Sequence, residues 1–298
     1  INRLALKGSP FVAQRLKKME TIIDKLRRYP NMQVTTMQDI GGVRAVLEKV
    51  TDVKKIYKDY MNANKGFKHV LKDVDDYIKK PRPSGYRGIH LIYAYNNPKA
   101  PDYNGLFVEV QLRTRLQHIW ATSVETIGIV TKQSLKSSIG TKAWLEFFQL
   151  MSSAFAHMEN QPTIDVHKHL TKDQIFISVA NAAEKLNVID KLRGYTMGMK
   201  HIGTKKRQGF YHLMVINLDE HNLSIRSFSK EKFKEATKAY KEIEQQAARG
   251  KNLDPVLVGV DSIRNLERAY PNYFLDSREF IENLRKIIAS SKRKKNKK

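Results

Sequence analysis

Two acidic residues, Asp39 and Glu109, stand in sequence surroundings that suit the binding of a phosphate-bound cation. Asp39 directly precedes a short glycine-bearing strand predicted over 40–47, and Glu109 lies within a second predicted strand, 106–113. Transfer of a phosphoryl-type group needs carboxylates that hold a metal ion, cations that contact the phosphates and a base near the attacking hydroxyl. If the two strands are neighbours in one sheet, the two carboxylates can share a Mg²⁺ ion. The alternative is that both are ordinary surface acids.

The predicted strand 106–113 alternates between apolar residues and a second, more polar set. Successive side chains of a strand point to opposite faces of the sheet. One face therefore builds core, while the other presents an acid, an amide and a base in a row: Glu109, Gln111 and Arg113.

A basic loop lies between the two acids in the sequence. Residues 76–90 read DYIKKPRPSGYRGIH and place Lys79, Lys80 and Arg82 ahead of Tyr86. Cations in such a loop can contact phosphates, and an exposed tyrosine ring offers a flat face on which a nucleobase can stack. The alternative is a plain turn with solvated charges.

Several classes of protein are disfavoured by missing motifs. The sequence has no GxxxxGK loop, no GxGxxG after a strand, and no HRD and DFG pair of the protein kinases. Its nine histidines show no HExxH spacing, and there is no GxSxG elbow. The absence of cysteine excludes disulfides, thiolate nucleophiles and Cys-ligated zinc.

The charge of the chain favours a polyanionic substrate or partner. With 54 Lys and Arg against 30 Asp and Glu, the formal net charge is +24. The terminal segment 292–298, KRKKNKK, supplies six of these charges, so 24 − 6 = +18 remain on the body.

No apolar run is long enough to span a bilayer and no leader is visible, so we expect a cytoplasmic protein without a membrane partner. The first residue is Ile, and we expect the natural N-terminus to lie upstream.

Periodicity predicts an α/β (α+β) chain. A helix is predicted over 11–29, with an apolar stripe formed by Leu16, Met19, Ile23 and Leu26. The further predicted strands are 90–95, which forms a hairpin with 106–113, then 211–218, 223–228 and 255–260. The further predicted helices are 51–62, 115–127, 141–159, 172–199 and 230–249.

Four segments, taken in order, resemble the synthetase domain of the RelA/SpoT family. They are RLKKMETIIDKL (15–26), QDIGGVRAVL (38–47), DYIKKPRPSGYRGIH (76–90) and VEVQLRTRLQHIWATSVE (108–125). The resemblance implies a mixed central sheet flanked by helices, of nucleotidyltransferase-like type, that moves pyrophosphate from Mg·ATP to a ribose hydroxyl of GDP or GTP.

The resemblance also implies roles for individual residues. Asp39 and Glu109 would hold Mg²⁺, with Glu109 also a candidate base. The implied ATP-binding residues are Arg15 and Arg44 at the adenine and Lys17 and Lys25 at the phosphates. The implied acceptor-binding residues are Tyr86, Lys79, Lys80, Arg82, His90, Gln111 and Arg113.

A closer resemblance is to toxic small alarmone synthetases of the fused toxin-antitoxin CapRel type, through the DIGG variant and the segment RAYPNYFLD (268–276). It implies a pyrophosphokinase domain over 1–165, a helical connector over 166–200, a β-rich, zinc-finger-like regulatory domain without metal ligands over 201–290 and a disordered basic tail over 291–298. The acceptor would be the 3′ end of tRNA, contacted by Lys18, Arg27 and Arg28, and the trigger a phage protein such as a capsid protein.

Tyr270 and Tyr273 match the inhibitory YxxY pair of that group and would insert into the ATP site between Arg15 and Arg44. Without the resemblance, two aromatic residues three apart are a simple packing pair on a helix.

Many family members have a histidine where this chain has Thr126, and no HD hydrolase motif is present. Two alternatives stay open: a (p)ppGpp synthetase with a free guanine nucleotide as acceptor, and a non-catalytic RNA-binding sensor.

Overall fold

The computed structural model describes residues 11–16, 19–62, 68–131, 133–198, 200–203, 209–217, 219–220, 222–259 and 277–295. Contacts divide the chain into two compact units. The first comprises the described residues within 1–75, 89–112 and 200–269, and the second those within 76–88, 113–199 and 270–298. No helix in these described ranges is long and apolar enough to cross a membrane.

The first unit is built on a nine-stranded mixed sheet. In chain order the strands are β1 (Phe11–Leu16), β2 (Gly41–Leu47), β3 (Val70–Asp76), β4 (Ile89–Ala94), β5 (Phe107–Thr114), β6 (Lys200–Gly203), β7 (Tyr211–Asn217), β8 (Asn222–Phe228) and β9 (Leu253–Gly259). They lie in the order β3-β4-β5-β2-β1-β9-β7-β8-β6. The pairs β1/β2, β4/β5, β7/β8 and β7/β9 are antiparallel, and β6/β8 is parallel. The mixed sheet flanked by helices is as predicted.

Among its described residues this unit has three α-helices: α1 (Met19–Arg28), α2 (Val50–Met61) and α7 (Phe233–Ala248). Helix α2 buries Val50, Val53 and Ile56, which are spaced three residues apart and so form one apolar face. Helix α7 covers β7 and β9 through Ala236 and Ala239.

The second unit is helical. Its helices are α3 (Arg115–Thr131), α4 (Lys142–Met158), α5 (Lys172–Lys185), α6 (Val188–Gly198) and α8 (Arg278–Lys295). Trp120 and Trp144 are core residues of this unit. Phe280 of α8 packs with its ring centroid 6.2–6.3 Å from those of Phe147, Phe148 and Phe155. The C-terminal helix is therefore part of the core of this unit.

The helix predicted over 11–29 is wrong for its first six residues, which form β1. Backbone groups of β1 pair with β2 and also with β9, so that Arg15 lies opposite Gly42 and Val258. These pairings are distant in sequence, and local periodicity does not contain them. The predicted apolar stripe is also incomplete, because Ile23 is 43% exposed.

The edge strands β3 and β6 and the helix α8 were not predicted. β3 reads VLKDVDD, and its charged residues suit an edge position while hiding the strand pattern. Residues 291–295, predicted to belong to a disordered tail, are the last residues of α8. The division into 1–165, 166–200, 201–290 and 291–298 stays a prediction, since the two compact units interleave these segments.

Candidate active site

Asp39 lies in the turn that leads into β2, within the first unit. Its Oδ1 lies 3.0 Å from Nζ of Lys25 on α1. Both side chains are about one quarter exposed, at 28% and 24%. The pair is therefore accessible to a ligand, and a phosphate group can compete for the ammonium of Lys25.

Glu109 lies on β5 and is buried in a polar cluster. Its Oε1 lies 2.7 Å from Nδ1 of His90 on β4, and its Oε2 accepts a hydrogen bond of 2.6 Å from Nε2 of Gln111. Nε of Arg44 on β2 donates to Oε1 of Gln111 at 3.2 Å. A chain of polar contacts thus runs across three strands, from Arg44 through Gln111 and Glu109 to His90.

Competing effects set the pKa of Glu109. Burial raises it, but the hydrogen bond and charge of His90 and the hydrogen bond from Gln111 lower it by more. The negative charge of Asp39 acts in the opposite direction and raises the pKa of Glu109 slightly. The net pKa lies below the ordinary value of 4.5, so Glu109 is ionised at neutral pH.

Gly42 explains how two strands can approach closely at this point. A Cβ atom at Gly42 would lie 2.9 Å from the carbonyl oxygen of Glu109 and 3.5 Å from its Cβ. At Gly41 a Cβ would meet nothing within 4 Å. Only the second glycine of the DIGG segment is therefore required by the contact between β2 and β5.

The donor set of this cluster fits a magnesium ion. Asp39 and Glu109 supply carboxylate oxygens, and Mg²⁺ is commonly held by one or two carboxylates together with phosphate oxygens of the substrate. Among the residues that the structure describes, no three His, Asp or Glu side chains form a metal-binding group. Asp39 and Glu109 are the residues that would hold such an ion.

The basic loop belongs to the second unit. Arg82 donates a hydrogen bond to the hydroxyl of Tyr77, and its guanidinium carbon lies 4.4 Å from the centre of that ring. Nη2 of Arg113 donates to the hydroxyl of Tyr86 at 2.7 Å. Lys79 and Lys80 are exposed. The half-buried ring of Tyr86 is thus held at its hydroxyl end by Arg113.

Arg87, which sequence reasoning missed, anchors this loop. Its Nε donates to Oγ of Ser152 on α4 at 3.1 Å, and Ser152 donates to the carbonyl oxygen of Gly85 at 2.5 Å. Gly85 has φ +95°, and a Cβ there would lie 2.7 Å from Cβ of Ser152. Sequence reasoning had no local signal for this burial, because arginine is rarely buried and its partner Ser152 lies 65 residues further along the chain.

Arg87 is only 3% exposed, and burial lowers its pKa to about 10, against the opposing charge of Glu159. Its two terminal nitrogens have no hydrogen-bond partner among the described protein atoms. They border a cavity of about 10 Å³ lined also by Gln117, Trp120 and Phe155, which has room for one water molecule. Burial raises the pKa of Glu159, whose carboxylate accepts a hydrogen bond of 2.9 Å from Gln117.

The remaining predicted residues divide into two sets. Arg27 and Arg28 are exposed in the last turn of α1, and Arg15 is described only through its backbone in β1. Lys17, Lys18, Tyr270 and Tyr273 lie outside the described residues. The first unit brings together Lys25, Asp39, Arg44, His90, Glu109 and Gln111, and the second unit carries Lys79, Lys80, Arg82, Tyr86 and Arg113.

The fold and this cluster define an α/β protein whose mixed sheet carries carboxylates, cations and an amide close together. Residues 14–130 match the family described as a region found in RelA / SpoT proteins. This region of the chain is therefore similar to the region that RelA and SpoT proteins share.

Two relatives from Bacillus subtilis (strain 168) illustrate the similarity. The GTP pyrophosphokinase YjbM is 38% identical over 114 residues, which are 38% of this chain and 53% of that protein. The GTP pyrophosphokinase YwaC is 30% identical over 115 residues, 36% of this chain and 52% of that protein. The chain thus spans about half the length of these curated relatives.

Among solved structures, the small alarmone synthetase 1 from Bacillus subtilis bound to its product pppGpp is 29% identical. The match covers 51% of this chain and 75% of that one, with a TM-score of 0.43.

Proposed function

We propose that this chain is an ATP-dependent pyrophosphokinase whose acceptor is a guanine nucleotide, GDP or GTP. The observation that carries the proposal is the cluster around Glu109 within the RelA/SpoT region, where Asp39 stands close enough to influence its pKa. The relatives named above as GTP pyrophosphokinases support the choice of acceptor.

In the proposed reaction, the 3′ hydroxyl oxygen of the acceptor ribose attacks the β-phosphorus of ATP. The bond from that phosphorus to the bridging oxygen of the α-phosphate breaks, and AMP leaves. The hydroxyl proton passes to Glu109. Because its lowered pKa makes Glu109 a weak base, the proposal fits a loose transition state in which the nucleophile needs little activation.

Different basic side chains would bind different parts of the donor, ATP. Lys25, 3.0 Å from Asp39, would contact the phosphates together with Lys17, and Arg15 and Arg44 would hold the adenine. Asp39 and Glu109 would hold Mg²⁺, which when bound neutralises the charge of the phosphates. His90 and Gln111 orient the carboxylate of Glu109 through their contacts of 2.7 and 2.6 Å.

The acceptor is proposed to be bound by the basic loop. Tyr86 would stack on the guanine, with its ring orientation held by Arg113, and Lys79, Lys80 and Arg82 would contact the acceptor phosphates. Holding both substrates in reacting geometry is the main contribution that the protein makes in such a transfer.

The test is a labelling assay with β-³²P-labelled ATP and Mg²⁺, offered GDP, GTP or deacylated tRNA. We expect label on the guanine nucleotide and a loss of at least about 100-fold for Glu109→Gln. The matched control is Glu146→Gln, which removes an exposed carboxylate from α4 and should keep full activity. Label on none of the acceptors would contradict the proposal.

A second candidate acceptor, the 3′ end of tRNA, is favoured by the formal charge of +24 and by the exposed pair Arg27 and Arg28. In this form the chain would block translation, held inactive by its C-terminal part through Tyr270 and Tyr273 until a phage protein binds. The same assay decides between the acceptors. Arg27→Glu with Arg28→Glu should then lower tRNA labelling at least about tenfold, while Lys54→Glu with Lys55→Glu, another adjacent exposed pair, should not.

A further inference from the structure

One face of helix α7 is strongly basic and lies far in sequence from the RelA/SpoT region. Lys234, Lys238 and Lys241 follow one another at spacings of four and three, which places them on the same side of the helix. All three are exposed. With Phe233 and Thr237 they line an open cleft of about 320 Å³.

The carboxylates nearby leave these lysines available. Glu235 forms an ion pair with Lys232 at 3.1 Å, and Glu244 accepts a hydrogen bond of 2.6 Å from Tyr240. Glu242 is exposed four residues after Lys238. Within the part of the chain that the structure describes, no ion pair involves Lys234, Lys238 or Lys241.

Aromatic rings border the basic face. The rings of Phe210 and Tyr211 lie 5.0 Å apart, and those of Tyr211 and Phe233 lie 4.9 Å apart. Phe233 is 42% exposed although it is a large apolar side chain. Lys230 Nζ lies 5.7 Å from the ring of Phe210. The result is a row of three rings with cations along it.

We propose that this surface, formed by Phe210, Tyr211, Phe233, Lys234, Lys238 and Lys241, binds single-stranded RNA. Lysines spaced along a helix match the repeating phosphates of a polynucleotide, and an exposed ring supplies a stacking face for a base of any sequence. The exposed ring of Phe233 favours a single strand over a duplex, whose bases are already stacked. The surface stands apart from the proposed transfer reaction.

The experiment measures fluorescence anisotropy of a labelled single-stranded RNA of about 12 nucleotides, within the usual site size of about 4 to 16 nucleotides. The full chain is titrated without ATP at several salt concentrations. Lys234→Ala with Lys238→Ala and Lys241→Ala should reduce the slope of log K against log salt by about 2, since each phosphate contact contributes about 0.7. Phe233→Ala should weaken binding at least about fivefold, as the loss of one stacked base does.

The matched control removes three other exposed lysines from a helix, Lys54, Lys55 and Lys58 of α2. An equal loss of RNA binding in this control would overturn the proposal, because binding would then follow net charge alone. The proposal would also be overturned if a duplex of the same sequence bound with equal affinity and Phe233→Ala left RNA binding unchanged. Binding to vesicles containing phosphatidylserine in place of RNA would assign the surface to a membrane. Labelling activity is measured on the same variants, and its loss or retention bears only on the transfer reaction.

Discussion

At the scale of single residues, the candidate site depends on what stands beside Glu109. The carboxylate is buried, yet its net pKa is lowered because His90 and Gln111 contact both of its oxygens. An ionised carboxylate with a neighbouring acid is an arrangement that attracts a divalent cation. The backbone of β2 must come close for this, and Gly42 permits it.

Replacement of Gly42 tests that close approach. In Gly42→Ala the new Cβ would lie 2.9 Å from the carbonyl oxygen of Glu109, so β2 and β5 must separate. We expect a loss of about 1–3 kcal/mol in the free energy of unfolding, as for other overpacked sites, and a fall in labelling activity. Urea denaturation and the labelling assay measure the two effects. Gly41→Ala is the control, because its Cβ would meet nothing within 4 Å; equal effects of the two changes would refute the contact.

The lowered pKa of Glu109 predicts a pH dependence of stability. Folding favours the ionised carboxylate, so its contribution is complete above the ordinary pKa of 4.5 and is lost as pH falls through the lower folded value. The groups facing it are His90, Gln111 and Asp39. We expect the stability difference between the native chain and Glu109→Gln to be larger at about pH 7 than at about pH 3. Asp102→Asn, at an exposed carboxylate, is the control, and a difference that grew on acidification would contradict the prediction.

The buried Arg87 and the half-buried Glu159 of the second unit interact through their opposite charges. Arg87→Ala removes the hydrogen bond to Ser152 and leaves Glu159 without its compensating charge. We expect a loss of about 1.5–3 kcal/mol in the free energy of unfolding. Adding Glu159→Gln, which removes the charge that burial disfavours, should recover part of that loss. Strictly additive effects in the double-mutant cycle would show that the two groups do not interact.

At the scale of elements, α8 shows how a charged sequence can still build core. The helix reads REFIENLRKIIASSKRKK, and its few apolar residues fall at spacings of three and four, so that Phe280, Ile281, Leu284 and Ile287 are all buried. A predicted basic tail is therefore, up to Lys295, a helix of the second unit.

Truncation of Phe280 tests the contribution of that helix. Its ring lies among those of Phe147, Phe148 and Phe155 and is 1% exposed. Phe280→Ala should lower the free energy of unfolding by about 3–5 kcal/mol, since it leaves a cavity in a packed core. The control is Tyr103→Ala, whose ring is 61% exposed. If thermal unfolding shows the two variants to be equally stable, α8 does not pack as described.

At the scale of the whole molecule, the chain contributes to each unit from both of its halves. β1 lies between β2 and β9, and α8 packs on α5 of the helical unit. Removal of residues 200–298 would leave one side of β1 unpaired and expose apolar residues of α5.

Fragments test whether the predicted domain boundaries describe independent folding units. We expect the fragments 1–165 and 1–199 to be less soluble and to unfold at a lower temperature than the full chain, because each loses partners from both units. Soluble yield and thermal denaturation measure this. A fragment 1–165 that unfolds cooperatively at the temperature of the full chain would instead support the boundary at 165.

The successful sequence-based predictions concern single elements. Alternation along 106–113 predicted the polar face that carries Glu109 and Gln111, and the spacing of apolar residues predicted most helices to within a few residues. Each of these signals arises within one element, where the period of side-chain direction is a property of the backbone. The prediction that Asp39 and Glu109 could share a metal ion required β2 and β5 to be neighbours. The two strands are adjacent in the sheet.

Three features depend on contacts between distant segments: residues 11–16 form a strand, α8 belongs to the helical core, and Arg87 is buried beside the basic loop. In each case the deciding partner lies far along the chain: β9 for β1, α5 for α8, and Ser152 for Arg87. Hydrogen bonds and packing between distant segments override local preference, because a buried backbone or guanidinium group must find its partner wherever the fold provides one.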